Sequence, residues 1–211
     1  MLAALPLPLS LSGQQRASPL SSIELAQRVD DHYNKLRSLK TRFREDYDGL
    51  GMSRSESGIL LLRKPGRMRW DYDTPKGKVF VLDGKFAWFY APGDSQVQRI
   101  AASKLDDLRS PLRMLLGHTK LETEMDNLSL TSGNGALILS GVPHGQQKRI
   151  HNLSFTVTQE GSITAILIEE VDGARTSFIF TNEVQNTPIP EAQFQFTPPQ
   201  GIPVVDALPP V

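Results

Sequence analysis

The chain has 211 residues, and its 23 Lys and Arg residues balance 23 Asp and Glu residues, so the formal net charge is zero. A neutral chain is unlike the basic domains that bind nucleic acids, and this length predicts one domain of ordinary size. There is no cysteine, which excludes disulfides, a thiol nucleophile, zinc bound through cysteine, and a lipid anchor on the chain's own cysteine.

The first residues, MLAALPLPLSLSG, form a short apolar run followed by small and polar residues. This order is typical of the apolar core and end of a secretory signal, although the Lys or Arg that normally precedes such a core is missing. The run is too short to span a bilayer. We therefore expect residues 1–20 to be a leader or a disordered join, and the mature protein to be exported and soluble.

The next stretch, SSIELAQRVDDHYNKLRSLK, predicts an amphipathic helix. Ser21 and Glu24 have the spacing of a capping box at a helix start. The apolar residues of the stretch recur at helical spacing and predict one stripe that lies on an apolar surface: Leu25, Val29, Leu36 and Leu39.

From Thr41 onward the apolar residues alternate with a period of two, which indicates strands joined by tight turns rich in Gly, Pro and Asp. The segment SKLDDLRSPLRMLLGH interrupts this pattern and predicts two short helices, the second beginning at Pro111. Strands then resume, starting with LETEMDNLSLT, and FQF at 194–196 is predicted to be the last. The final residues, 207–211, are expected to form an extended tail.

These elements predict a mainly β protein built on a single curled antiparallel sheet. A long antiparallel sheet curls because its strands twist, and the apolar concave face of such a sheet must be covered. The predicted helices are the available cover. The sheet and helices could enclose a packed core or a cavity for an apolar ligand, and periodicity alone leaves both open.

No pattern in the chain indicates catalysis, a metal or a cofactor. The nucleophile elbow, the H-E-x-x-H pair and the phosphate-binding glycine loop are all missing. The four histidines do not have the spacing of metal ligands. Asp71 and Asp73 share one strand face, where paired carboxylates more often form a solvated charge pattern than an acid–base pair. We therefore expect neither an enzyme nor a cofactor.

The stretch LLLRKPGRMRWDYDTP, residues 60–75, contains four cations and two aromatic residues. It could be a nucleic-acid patch, a membrane-surface patch, or a hairpin with a basic solvent face. Alternation places Arg67 and Arg69 on one face and Met68 and Trp70 on the other. Nucleic-acid sites usually present cations and aromatic rings together, so the hairpin is favoured and no nucleic-acid partner is expected.

Four segments, in this order, resemble the LolA family of periplasmic outer-membrane lipoprotein carriers: RKPGRMRWDYDTP, LDGKFAWFYAP, SPLRMLLG and FQFTPPQGI. The resemblance runs from about Ser22 to Asp206. It implies a carrier domain over residues 21–206, folded as an unclosed β-barrel with helices as a lid. It also implies a periplasmic chaperone that takes triacylated lipoproteins from an inner-membrane ABC transporter to an outer-membrane acceptor lipoprotein, without covalent chemistry.

The resemblance also implies site residues. In the family an Arg before the hairpin proline latches the lid, and here Lys64 stands at that position, without the planar donor fork of arginine. The residues expected to form the cavity wall that binds acyl chains are Leu60, Leu62, Met68, Trp70, Phe86 and Trp88. The residues expected on the lid are Leu25, Val29, Leu112, Met114 and Leu115.

Other functions remain open at this level. The same fold could serve a periplasmic sensor, or a carrier for another lipid or hydrophobic ligand, because an apolar cavity carries little specificity. A monomer is expected, since a carrier must present its opening to two partners in turn. The clustering of Arg67 and Arg69 suggests a further hypothesis, that they dock the acidic surface of a membrane partner.

Overall fold

A computed structural model of the chain describes residues 20–107, 120–133 and 135–206. The predicted leader and the tail at 207–211 therefore lie outside the described residues, apart from Leu20. The second mid-chain helix also lies outside them, together with the three lid residues predicted on it: Leu112, Met114 and Leu115.

The first helix, α1, spans Ser22–Lys35 and begins with the predicted capping box. The Ser21 hydroxyl accepts from the Glu24 amide at 3.2 Å, and the Glu24 carboxylate accepts from the Ser21 amide at 2.8 Å. The helix ends earlier than its apolar spacing suggests, because Leu36 is already extended, and Leu39 lies in the following strand. Both leucines are buried, so they reach the core from outside the helix.

Twelve strands follow, joined mostly by short turns. Their bounds are β1 Ser38–Gly49, β2 Met52–Arg63, β3 Arg67–Thr74, β4 Val79–Leu82, β5 Phe86–Tyr90, β6 Val97–Ala101, β7 Met125–Gly133, β8 Ala136–Pro143, β9 Ile150–Val157, β10 Ile163–Glu170, β11 Arg175–Gln185 and β12 Val204–Asp206. A 3₁₀ helix at Ala102–Asp107 stands where the first mid-chain helix is predicted, and a four-residue helix, α2, spans Leu121–Glu124.

Two predicted strand segments differ from the structure. Residues 121–124 form α2, so the strand predicted from Leu121 begins at Met125. FQF is not a strand, because Phe194 closes a 3₁₀ turn at Glu191–Phe194, and the last strand is β12 instead. Both segments pack against other elements: α2 against α1, and Phe196 against Trp88 of β5.

All twelve strands form one sheet, in the order β12-β6-β5-β4-β3-β2-β1-β11-β10-β9-β8-β7. Neighbours are antiparallel except for β12, which runs parallel to β6. Pairing of β1 with β11 joins the two halves of the chain at the centre of the sheet, and β12 and β7 are the two edges of the sheet formed by the described residues. The predicted fold class, a single unclosed sheet, is confirmed.

The sheet is strongly curled. Trp70 on β3 and Phe178 on β11 have β2 and β1 between them, so in a flat sheet they would be about 14 Å apart. Their ring centres are 5.7 Å apart, because the side chains converge on the inner side of a curved surface. We call this inner side, which carries Trp70 and Leu60, the concave face, and the outer side, which carries Arg69 and Leu61, the convex face.

Each face has its own cover. Helix α1 lies over one end of the concave face, where its side chains join a single buried cluster with strands from both halves of the sheet. The C-terminal strap, which we define as residues 187–206, crosses the convex face and ends as β12 beside β6.

Candidate functional site

The concave face brings together four of the six predicted wall residues. Leu60 and Leu62 are fully buried, and Met68 and Trp70 nearly so, on the adjacent strands β2 and β3. The strand register pairs Leu60 with Trp70 and Leu62 with Met68. These residues therefore form one continuous apolar surface, extended by the Phe43 ring, whose centre is 4.6 Å from that of Trp70.

The other two predicted wall residues, Phe86 and Trp88, are on the convex face, so this prediction is wrong. Register through β4 places Phe89, and not its neighbours, on the side of Trp70. The Trp88 indole donates to Asp83 at 2.8 Å, and its ring packs against Phe196 of the strap. Alternation divides the side chains of each strand between two faces, but it does not show which face of β5 continues a given face of β3. That depends on how β4 pairs with both strands.

Helix α1 closes the concave face with apolar side chains. Four of its residues are completely or almost completely buried, including the two predicted lid residues within the described chain: Leu25, Ala26, Val29 and Tyr33. The helix backbone also sits directly on the turn between β9 and β10. A Cβ added to Gly161 would lie 2.3 Å from the carbonyl oxygen of Arg28, so only glycine allows this approach.

Lys64 anchors the C-terminal end of this helix. Its Nζ donates to the backbone carbonyl of Tyr33, in the last turn of α1, where carbonyl groups lack helical partners and a cation is favoured. The side chain is half-buried, and burial lowers its pKa from the ordinary value. Lys64 therefore reaches the element that the predicted latch would have to hold, through one donor group.

Further polar contacts hold α1 to the β9–β10 region and to β11. The Ile163 amide donates to the Tyr33 hydroxyl at 3.1 Å, and burial raises the pKa of that hydroxyl. Arg28 donates to the Gln159 carbonyl at 2.9 Å. His32 lies 3.5 Å from the Glu183 carboxylate. All of these contacts lie at the margins of the helix, around an apolar centre.

The arginines of the opening hairpin bind the C-terminal strap. Arg63 donates to the Ile189 carbonyl at 2.9 Å, and Arg69 donates to the carbonyl groups of Gln193 and Gln195 at 3.3 and 3.1 Å. Arg63 and Arg67 both form ion pairs with Glu191.

This arrangement corrects the hypothesis that Arg67 and Arg69 dock an acidic partner. Glu191 of the chain itself neutralises Arg67, and Asp71 lies 2.6 Å from Arg69. Both side chains are mostly covered, with 27% and 22% exposed. The two residues are placed on the outer face, as predicted, but their partners belong to the same chain.

The two faces differ in how they are filled. A cleft of about 650 Å³ lies on the convex face, lined by residues of β1, β2, β11 and the strap that include Ile59, Leu61, Val184 and Ile189. The concave face is instead filled by packed side chains, with Leu25, Val29 and Leu60 completely buried. A ligand on the part of the concave face that α1 covers must therefore displace the helix.

Within the described part of the chain, no group of three or more His, Cys, Asp or Glu residues could hold a metal ion. Among the same residues no helix is long and apolar enough to cross a membrane. The described site thus consists of an apolar wall, an apolar helix and a few polar anchors.

Comparison with known proteins identifies the family. The family model described as "Outer membrane lipoprotein carrier protein LolA" matches residues 34–197, well over half of the chain. This chain belongs to the LolA family. The LolA fold thus accounts for the unclosed sheet and the covering helix together.

Individual relatives agree with this assignment. The outer-membrane lipoprotein carrier protein of Chromobacterium violaceum is 27% identical over 210 residues, which cover 97% of this chain and 96% of the relative. That of Nitrosomonas europaea is 27% identical over 154 residues, 72% of this chain and 73% of the relative. A solved structure of an uncharacterized conserved protein from Thermus thermophilus shares the fold, with a TM-score of 0.55, 14% identity, and coverage of 87% of this chain and 98% of that one.

Sequence reasoning missed some residues that complete the site. Tyr33 contributes a buried ring, the carbonyl that Lys64 binds and the hydroxyl that Ile163 binds. Its position four residues after Val29 was a sufficient signal for the stripe. Gly161 gave no such signal, because its role depends on the close approach of a helix more than a hundred residues away in sequence.

Proposed function

We propose that this LolA-family chain is a periplasmic carrier that shields the acyl chains of lipoproteins on the concave face of its sheet, without covalent chemistry. The observation that carries the proposal is a continuous apolar wall covered by a helix whose own buried face is apolar. Burial of acyl chains contributes about 0.8 kcal/mol per methylene. A lipoprotein would otherwise leave its membrane too slowly to be transported.

The packing of α1 suggests how cargo enters. Acyl chains that replace the side chains of Leu25, Val29 and Tyr33 against the wall exchange one apolar contact for another. The wall then stays buried, and the main loss is the set of polar contacts at the helix margins. Lys64 is the proposed latch among these contacts, because its side chain joins the turn after β2 to α1 through one bond, to the Tyr33 carbonyl.

The proposed partners follow from the family. We propose that the cargo is a triacylated lipoprotein, the donor an inner-membrane ABC transporter, and the acceptor an outer-membrane lipoprotein. The relatives' names support the cargo class. We propose that the chain works as a monomer, because both partners would need the same concave face.

The test is native mass spectrometry of the protein after co-expression with a triacylated lipoprotein in the periplasm. We expect a one-to-one complex, and no complex when the acylated cysteine of that lipoprotein is replaced. Recovery of the bare protein, or of a protein that holds only free lipid, would contradict lipoprotein transport and indicate another hydrophobic cargo.

A further inference from the structure

The apolar wall of the concave face ends abruptly on two neighbouring strands. Along β1 the buried inward side chains end at Phe43, and the next inward position is Glu45. On β2 the inward residues run from Leu62 to Glu56, which is only 5% exposed. Register pairs Glu45 directly with Glu56, so both strands change from apolar to charged at the same level.

Two cations complete this charged group. Lys78 forms an ion pair with Glu56. Arg54 lies 3.2 Å from Glu56 and 3.6 Å from Glu45, measured between guanidinium nitrogen and carboxylate oxygen. Tyr72, whose ring packs against that of Phe43, donates its hydroxyl to Glu45 at 3.3 Å. We call Glu45, Arg54, Glu56 and Lys78 the polar boundary.

Stability of the fold does not explain the polar boundary. Two carboxylates that face each other across neighbouring strands repel. Buried ion pairs seldom recover the cost of removing their charges from water, and apolar residues of the same volume often stabilise a protein as well or better. Burial raises the pKa of the Glu45 carboxyl, in agreement with such a cost. A charged group kept at the edge of an apolar wall therefore points to a role in what the wall binds.

We propose that the polar boundary sets the maximum length of acyl chain that the concave face accepts, an inference that rests on the proposed function. Glu45 is six positions beyond Leu39, which lies at the end of β1 near Lys64, and six positions correspond to about 20 Å of strand. Half of a bilayer's hydrocarbon core is about 15 Å thick. An acyl chain from one membrane leaflet therefore fits on this wall, and a longer chain must lie against buried charges, which apolar groups cannot solvate.

The test is a titration of the full chain with n-alkyl maltosides of increasing chain length, each kept below its critical micelle concentration. We expect the affinity of the wild type to rise about fourfold per added methylene and then to stop rising once the chain reaches Glu45. In the variant that combines Glu45→Met, Arg54→Met, Glu56→Met and Lys78→Met, the rise should continue to longer chains.

A matched control changes charges on the opposite face of the same strand. Arg44 and Asp46 on β1 form an exposed ion pair, 2.9 Å apart, and the variant Arg44→Met with Asp46→Met should keep the wild-type length limit. If the four-residue variant does not unfold cooperatively, the variant Glu56→Met with Lys78→Met replaces it. We expect this smaller variant to show the same extension, to a lesser degree.

The outcomes separate the two proposals. If the wild type and the boundary variant stop gaining affinity at the same chain length, the polar boundary does not limit the ligand, and the proposed carrier function stands. If the control variant Arg44→Met with Asp46→Met extends the limiting chain length as much as the boundary variant does, the polar boundary is again not the cause of the limit. If the wild type binds no alkyl chain of any length, both proposals fail.

Discussion

Helix α1 and the C-terminal strap both cover the sheet, but they are held by different forces. The helix buries four side chains in the concave core and has its polar contacts at its margins. The strap is held to the convex face mainly by arginines that bind its carbonyl groups and Glu191, with Phe194 as a fully buried apolar anchor. An apolar ligand can replace the contacts of the helix, whereas it offers no acceptors for the arginines of the strap.

Under the proposed function, this difference would allow the helix to open while the strap stays in place. In the proposed function, an acyl chain competes directly with Leu25 and Val29 for the same wall. An apolar ligand in the place of the strap would cover Arg63 and Arg69 without offering them acceptors, and donors that are covered without a partner are costly. The following changes test the contrast, in order of decreasing expected effect.

The largest effect is expected from Phe194→Ala in the strap. Phe194 is fully buried, with the Arg63 guanidinium 5.3 Å from its ring centre, so truncation should lower the free energy of unfolding by about 3–5 kcal/mol. Urea denaturation measures this loss. Binding of an alkyl probe at a temperature where the variant is folded should be nearly unchanged, because the concave wall is intact.

The control for this change is Val205→Ala, in the same strap but with 38% of its side chain exposed, which should cost much less. A loss of alkyl-probe affinity in folded Phe194→Ala comparable to its loss of stability would show that the two covers are coupled and would break the contrast.

An intermediate effect is expected from Lys64→Met, which removes the donor to the Tyr33 carbonyl and keeps an apolar stem. We expect the free energy of opening of α1 to fall by about 1–2 kcal/mol, since one hydrogen bond from a charged group is lost. Hydrogen exchange should then quicken in residues 22–35 and remain as in the wild type in the strap. Lys64→Arg keeps a donor and should protect residues 22–35 from exchange at least as well as the wild type does. Equal exchange of these residues in Lys64→Met and Lys64→Arg would exclude Lys64 as the latch.

The smallest effect is expected from Glu191→Gln, which removes the charge shared by Arg63 and Arg67. The Glu191 side chain is 51% exposed, so we expect a loss of about 0.5–1 kcal/mol. Exchange protection of the strap in the wild type should fall with added salt, and this salt dependence should be weaker in the variant, which keeps the ion pair of Asp206 with Arg99 in the strap. If salt loosened α1 as much as the strap, the assignment of an apolar cover and a polar cover would be wrong.

Much of the site was predictable from local pattern. Ser21 and Glu24 marked the helix start, Leu25 and Val29 its buried face, and alternation placed Met68 and Trp70 opposite Arg67 and Arg69. Each of these predictions depends on residues a few positions apart along the chain, where helix or strand geometry alone decides which side chains share a face.

The failures depended on contacts between distant segments. Phe86 and Trp88 were assigned to the wrong face because the pairing of β4, and not the pattern within β5, decides which aromatic residues of β5 face Trp70. The FQF segment alternates like a strand, yet it packs as a turn under arginines of another strand. The partners of Arg63, Arg67 and Arg69 in the strap lie more than a hundred residues away in sequence.

Composition, capping residues and alternation were thus enough to define a mainly β chain with one amphipathic helix, because these features act within a single element. Tertiary structure alone decided which face of each strand lines the wall, which cations serve the strap, and where Glu45 and Glu56 end the apolar surface. The physical reason is that register between strands is set by long-range pairing, and a shift of one residue exchanges the two faces of a strand.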